Sequence, residues 1–457
     1  MTVSVLMGII FLLAGMFILS PSLSSAMRMR TQIGRYPLVK VIIGFISLII
    51  LISVSLQDYW YEELWRVIVF VAFVFALLQL ISTLFTMKIW DGITDFVRKY
   101  PFIIFIIMVV LGLLLIVRSY IGPVAAVEEC KSNQDIGVIC SVKNPEDLAV
   151  TPDNNFLIVS EFGGIEPLEE MTPGKLSLLN IETEEVSPLS ISYANNTWGD
   201  GLCSRKKNDL IGPHGLDLVE RSDGLYQLAV VNHIDYESIE MFELSQNNSG
   251  WGLVWRGCVR APIENYLNDV SLTSDGSLFV SHMYDRDSGA STFLSAALFK
   301  YKTGYVLQWN NIEGFSKVQG SEGSMPNGIA LDETKNLLYI NDNLGDKVRV
   351  LDLSKNTLVA ETSLNSPDNL ILTNGSLWVT TLDHEILDTL KCSELVTCTL
   401  PFSVYELNPL NLEIKGRFSF RHNIFGLPTV ALPVKDKIWI GSFRSDRIAY
   451  LNSILEQ

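Results

Sequence analysis

"HGLDLVERSDGLYQLAVVNH", residues 214–233, reads as two strands and a turn, with apolar and polar residues alternating on either side of Asp223-Gly224. An Asp-Gly pair between alternating runs is the strongest short-range hairpin signal. With Asp223 and Gly224 as the two turn residues of a regular hairpin, partner numbers sum to 447, which sets His214 directly opposite His233. Opposed Cβ atoms lie about 4.5–5.5 Å apart, so the two imidazoles are expected to touch. Leu216 and Leu218 should then face Val231 and Ala229 beneath them.

The layout recurs. "EDLAVTPDNNFLIVSE" from Glu146, "NDVSLTSDGSLFVSH" from Asn268, "NGIALDETKNLLYINDN" from Asn327, "DNLILTNGSLWVTTLD" from Asp368 and, more loosely, "PTVALPVKDKIWIGSF" from Pro428 share its polar start, alternating strand, turn and second strand. The six starts are 68, 54, 59, 41 and 60 residues apart, a loose version of the roughly 40–50 residues of one four-stranded propeller blade. The pattern predicts an all-β six-bladed β-propeller over residues 144–457. A β-sandwich with long insertions would not space six similar hairpins to the end of the chain.

Residues 1–122 differ in kind. Apolar runs at Val3–Leu19, Val39–Val54, Val67–Phe85 and Phe102–Val117 approach or reach the ~17–25 residues that cross a bilayer, so a four-helix transmembrane segment is expected to precede the propeller. Residues 123–143 are read as a linker. Arg28, Arg30, Arg35 and Lys40 place the first loop inside, and Lys88, Arg98 and Lys99 the third. The second, with Asp58, Glu62 and Glu63, faces out. A multi-pass protein with both termini and the propeller on the extracytoplasmic side follows. A cleaved signal peptide is the alternative for the first run, but "MTVSVLMG" carries no positive charge ahead of the apolar stretch.

The chain carries net −16; residues 1–122 hold nine Lys and Arg against five Asp and Glu, a net +4, leaving −20 for the remainder. Such acidity opposes nucleic acid and suits a soluble domain that concentrates cations. All six cysteines lie in this acidic part. Their even number on the oxidising side of a membrane points to disulfides, with Cys130–Cys140 and Cys392–Cys398 as the local pairs. No CxxC motif argues for zinc.

Equivalent positions of different blades converge on the propeller axis. The repeat starts supply Glu146, His214, Asn268, Asn327 and Asp368, with Asp147, Asp269 and Asn369 adjacent. Asp and Asn also begin strands because they favour turns, but acceptors at the starts of five repeats in six fit a metal ring. Carboxylate and amide oxygens suit calcium, which takes about six to eight oxygen ligands. Asp147 and Asp269 point the other way along their strands and could hold a second, structural ion.

As a set, "NPEDLAV", "GPHGLDL", "VVNH", "YLNDVSL", "MPNGIAL" and "SPDNLIL" resemble, in this order, the six-bladed propeller hydrolases of the paraoxonase and arylesterase family over residues 128–457. The resemblance implies a calcium-dependent lactonase or arylesterase. It places catalytic calcium ligation on Glu146, Asn268, Asn327, Asp368 and Asn369, structural calcium ligation on Asp147 and Asp269, and the family's histidine dyad on His214 and His233. It implies a small lactone or ester as substrate, and the membrane segment adds the bilayer as a partner and an apolar substrate as an expectation. No G-x-S-x-G elbow suggests a serine nucleophile. Three features depart from the family: "IAYLNSILEQ" lacks a closing cysteine, so closure should differ; "SHMYD" stands where the family has an Asp-His step, with His282 shifted by one position; and the loops between repeats differ in length. His384 and His422 are read as surface residues. The alternatives are a gluconolactonase- or strictosidine-synthase-like propeller with another divalent ion, and a propeller that only binds or scaffolds.

Overall fold

Each of the six hairpins grows into a blade of four antiparallel strands, to which the second adds Ile191–Tyr193, paired parallel with Gly250–Arg260. The computed structural model describes residues 12–13, 99–121, 124–164, 172–201, 203–206, 209–247, 250–383, 388, 392, 395–421 and 423–452. The chain divides into two compact units, Met1–Gly122 and Pro123–Gln457. The second is an all-β six-bladed propeller. Its inner strands are Pro145–Val150, Pro213–Glu220, Asn265–Leu272, Pro326–Asp332, Pro367–Thr373 and Leu427–Val434. These begin at or just before the six repeat starts.

Five blades are continuous in sequence. The sixth takes its outer strand, Ile136–Cys140, from the other end of the unit, where it pairs antiparallel with Arg447–Asn452 from Ile136–Leu451 to Cys140–Arg447. Residues 123–143, read as a linker, therefore carry the strand that closes the ring. Five residues were too short to stand out as a repeat, and closure by hydrogen bonds takes the place of a terminal disulfide. The cysteines pair as Cys130–Cys140, Cys203–Cys258 and Cys392–Cys398, the first and third as expected from spacing.

The second strands Phe156–Glu161, Tyr226–Asn232 and Leu337–Asp342 are buried at nearly every position, so these blades bury both faces against their neighbours. Ile158 and Leu178 of blade 1 meet Leu216, Leu228 and Phe242 of blade 2. Ala229, Val231 and Met241 on the other face of blade 2 meet Val270, Leu278 and Leu307 of blade 3. The ring closes where Leu148 and Leu157 pack with Val430, Trp439 and Ile448 of blade 6. Burial of this kind contributes about 1.5–3 kcal/mol per large side chain.

Of the four apolar runs, the first three lie outside the described residues, apart from two positions. The fourth falls in the helix Pro101–Ile121, whose side chains are described through Leu114. Among the described residues no helix is long and apolar enough to cross a membrane, so they give no support to a four-helix segment.

Candidate functional site

The register of the 214–233 hairpin differs from the expected one. Leu216 pairs with Val230, Asp217 with Ala229 and Leu218 with Leu228, so partner numbers sum to 446. The cause is the turn. Arg221 N donates to Leu225 O at 2.8 Å and Gly224 has φ +81°, making a three-residue loop, Ser222-Asp223-Gly224, with glycine in the left-handed position. Leu216 and Leu218 thus face Val230 and Leu228 rather than Val231 and Ala229.

A second irregularity brings the histidines together. Pro213 pairs with Asn232 and Leu216 with Val230, so His214 and Gly215 both oppose Val231, a β-bulge that bends the strand and re-aims its side chain. His233 N donates to Gly212 O at 3.0 Å. The histidines are therefore not directly opposed, yet His214 Nδ1 and His233 Nε2 are 2.7 Å apart, with ring centroids at 5.0 Å.

The same bulge recurs in every inner strand. The register slips by one between Pro145 and Asp147, Leu267 and Val270, Pro326 and Ile329, Pro367 and Leu370, and Pro428 and Ala431. The residues at these slips are Glu146, Asn268 with Asp269, Asn327 with Gly328, Asp368 with Asn369, and Thr429 with Val430. Every candidate ligand read from the sequence sits at a bulge or next to one. Side chains of neighbouring strands hold the bulge carbonyls: Ser160 Oγ donates to His214 O, Asn341 Nδ2 to Asp368 O, Thr380 Oγ1 to Thr429 O and Thr429 Oγ1 to Glu146 O. Thr429, the sixth position, spends its hydroxyl on this latch.

Glu146, His214, Asn268, Asn327, Asp368 and Asn369 are only 1–5% exposed and meet across the axis. Glu146 Oε1 accepts Asn369 Nδ2 at 2.9 Å and lies 3.6 Å from His214 Nε2, which is 3.2 Å from Asn268 Nδ2. Asn327 donates to Asp368. Four buried oxygens of this set, Glu146 Oε2, Asn268 Oδ1, Asn327 Oδ1 and Asn369 Oδ1, have no hydrogen-bond partner among the described residues. Buried acceptors are nearly always paired, and leaving one unpaired costs about 1–3 kcal/mol.

The electrostatics agree. Burial, then the charges of Asp147, Asp368 and Asp269, push the Glu146 carboxyl well above the usual range. Burial raises Asp368 to about 8 against the hydrogen bond from Asn327. Carboxylates crowded out of water without a counter-charge favour the protonated form, and a cation among them reverses that preference. Five oxygen-bearing side chains, no sulfur and orphaned acceptors fit a hard cation such as calcium.

Asp147 and Asp269 point away from this ring. Asp147 accepts Leu216 N at 2.7 Å and Leu148 N at 2.8 Å; Asp269 accepts Ile329 N and Val270 N, both at 2.8 Å. Each thus ties its blade to the next, as Asp217 does through Leu272 N at 2.7 Å. Burial raises Asp147 to about 7, and burial followed by the Asp147 charge raises Asp269 well above the ordinary range. Gly215 lies beside this pair: a Cβ there would stand 2.6 Å from Asp269 Oδ1 and from Asn268 O.

Three contacts of the dyad were missed from sequence. Phe162 stacks on His214 with centroids 4.3 Å apart, and Tyr266 stacks on His233 at 4.7 Å. Glu237 takes the far side of His233, with Oε1 and Oε2 at 2.9 and 3.0 Å from Nδ1. Its only signal in the sequence is an acid four residues after His233 in a short connector. Burial, then the neighbouring His233, lowers His214 well below its ordinary value, so its ring is neutral at physiological pH. His282 stands apart from the dyad; its Nδ1 accepts Tyr266 N at 3.2 Å and its ring packs on Tyr305. His384 and His422 lie outside the described residues. Cys203, Glu240 and Cys258 also cluster, but the sulfurs are joined as a disulfide, and Arg205, Ser238 and Trp255 occupy the Glu240 oxygens.

Residues 129–390, more than half of the chain, match the arylesterase family. Among solved structures the chain is similar to a luciferin-regenerating enzyme, at 12% identity over 69% of this chain and 94% of that one, with a TM-score of 0.42. It is similar also to a streptogramin B lyase, at 11% identity over 71% and 100%, TM-score 0.39. A third is regucalcin, a calcium-binding protein of Agrobacterium tumefaciens, at 10% identity over 68% and 90%, TM-score 0.38. These scores carry no weight for function.

Proposed function

The chain belongs to the arylesterase family, and from that premise we propose that it is a calcium-dependent hydrolase of lactones or aryl esters. The observation that carries this reading is the juxtaposition of orphaned oxygens with His214 Nε2. Glu146, Asn268, Asn327, Asp368 and Asn369 would hold the catalytic ion. Asp147 and Asp269, beside the opening left by Gly215, would hold a second, structural one. An ion held there would supply polarisation of the substrate carbonyl and stabilisation of negative charge on its oxygen.

The remaining work falls to the chain. His214, neutral and with Nε2 turned toward the ring, takes a proton from water as the water oxygen bonds to the carbonyl carbon. The C–O bond to the leaving group then breaks, and the proton returns to the departing oxygen. His233 steadies the imidazolium by sharing the Nδ1 proton. Phe162 and Tyr266 wall off bulk water, which strengthens each polar contact inside.

Residues 1–122 would tether the enzyme as a multi-pass membrane segment, with the propeller on the extracytoplasmic side, where the six paired cysteines are stable. Apolar substrates reaching the site from the bilayer would fit such a tether. The full chain, assayed on lactones and aryl esters with calcium or chelator, tests the activity; no turnover with calcium bound overturns it in favour of a binding scaffold. Alkaline extraction of membranes tests the tether, and release of the chain into the soluble fraction counts against it.

A further inference from the structure

We propose that Glu237 is the positioning residue of the histidine dyad: its carboxylate fixes which way protons lie along His233 and His214. This rests on the hydrolase reading above. The residue is not at a bulge and is not one of the oxygen ligands. It ends the connector between the second and third strands of blade 2, where Asp235 has φ +69° and Ala261 N donates to Glu237 O at 3.0 Å.

Two histidines bridged by one hydrogen bond have two equivalent arrangements. In one, His233 Nε2 accepts from His214 Nδ1–H, and His214 Nε2 is left as a lone pair facing the ring. In the other, His233 Nε2–H donates to His214 Nδ1, the proton of His214 sits on Nε2, and the base is blocked. Nothing within the pair chooses between them. Glu237 does, because an ionised carboxylate only accepts. Its two oxygens at 2.9 and 3.0 Å claim a proton on His233 Nδ1, which leaves Nε2 bare to accept at 2.7 Å. His214 Nε2 then presents its lone pair toward Asn268 Nδ2, 3.2 Å away, and the oxygen ring, the form in which it can act as base.

Glu237 is itself held. It is 3% exposed, its Oε2 accepts Leu267 N of the blade 3 inner strand at 2.9 Å, and Arg286 Nη2 lies 3.9 Å from Oε1. His282, the blade 3 histidine, is engaged with Tyr266 N and does not touch the dyad. The acid that orients the dyad therefore comes from the same blade as the dyad, four residues after His233. Orienting acids of this kind act on the tautomer, and their loss lowers kcat by as much as about 10⁴ where the wrong tautomer results.

The test uses the full chain with ¹⁵N-labelled histidine, of which it has five, so His214→Gln and His233→Gln assign the two resonances of interest. In the wild type, His233 should carry its proton on Nδ1 and His214 should show a bare Nε2. Glu237→Gln keeps an oxygen for Leu267 N but lets the amide donate as well as accept. It should mix the tautomers and lower kcat by roughly 10- to 10³-fold with KM within about twofold, a split that a merely structural loss would not give. A kcat within about twofold of wild type, or an unchanged His233 tautomer in folded Glu237→Ala, overturns the assignment. Should the wild type hydrolyse no ester or lactone, the hydrolase reading fails, and the tautomer measurement still decides Glu237: a shift supports it and no shift overturns it.

Discussion

Replacing Glu146 with Gln separates the cost of the oxygen ring from its purpose. The two side chains have the same shape, and Gln keeps an oxygen for the Asn369 amide, which donates at 2.9 Å. What goes is an ionisable carboxyl, buried beside Asp147, Asp368 and Asp269, which without a cation must either bear a charge or take up a proton in the folded state. Without calcium, either is a burden on the folded state, so Glu146→Gln should raise the thermal midpoint of the calcium-free protein. With calcium the sign reverses. A ligand at a hundred times its Kd stabilises by about 2.7 kcal/mol, and each further tenfold adds about 1.4 kcal/mol. For a unit of about 335 residues, unfolding entropy near 2.1 cal/mol/K per residue converts these to shifts of about 4 °C and 2 °C. Wild type should climb by these steps in calorimetry of the full chain as calcium rises from micromolar to 10 mM, and Glu146→Gln should climb far less. A wild-type midpoint that ignores calcium, or a variant that tracks wild type while starting no higher in chelator, refutes the ring as a cation site.

The other predictions use the same preparation. His214→Gln should lower kcat by about 10² to 10⁴ while keeping the calcium-dependent midpoint; unchanged hydrolysis by a folded variant would remove His214 as the base. Asp147 and Asp368, raised to about 7 and about 8, hold protons that calcium must displace. Calcium binding should therefore release protons at pH 7 and tighten as pH rises through 8, above which both acids are ionised; titration calorimetry in buffers of different ionisation heat measures this, and an affinity flat from pH 6 to 9 contradicts it. Gly328→Ala places a Cβ 2.4 Å from Asn369 Cα and 2.8 Å from Asp368 O, all backbone, so blades 4 and 5 must part. A loss of about 1–3 kcal/mol together with a weakened calcium response is expected, and a wild-type calcium response would show that the ring tolerates the displacement.

Sequence patterning carried the architecture a long way because a propeller repeats its turn chemistry. Asn374-Gly375 behaves as the simple signal demands, a two-residue turn with Thr373 paired to Ser376. Asp223-Gly224 closes a loop one residue longer, and nothing in the dipeptide distinguishes the two. The residues of the oxygen ring were legible as polar starts, yet their convergence depends on bulges, which alternation hides by design: a bulge is one extra residue in an otherwise regular pattern. His214 and His233 therefore meet for a reason other than the one their spacing suggested. Glu237, Phe162 and Tyr266 were missed because each reaches the dyad from a strand end or connector, where no periodicity marks a direction. The closing strand was missed for the opposite reason, since five alternating residues are too few to separate from a linker.

That closing strand has a consequence for biosynthesis. Ile136 finds its partner in Leu451, more than three hundred residues later, so the ribosome must deliver nearly the whole propeller before the ring can shut. Contacts so distant in sequence form slowly, and at a few residues per second the strand Ile136–Cys140 waits as an open edge while five blades assemble. The Cys130–Cys140 bridge sits on that waiting segment and can form at once, holding it as a short loop. By this topology the last blade can close only after the other five are made, and a chain interrupted before Arg447 would carry every residue of the oxygen ring without the strand pair that shuts it.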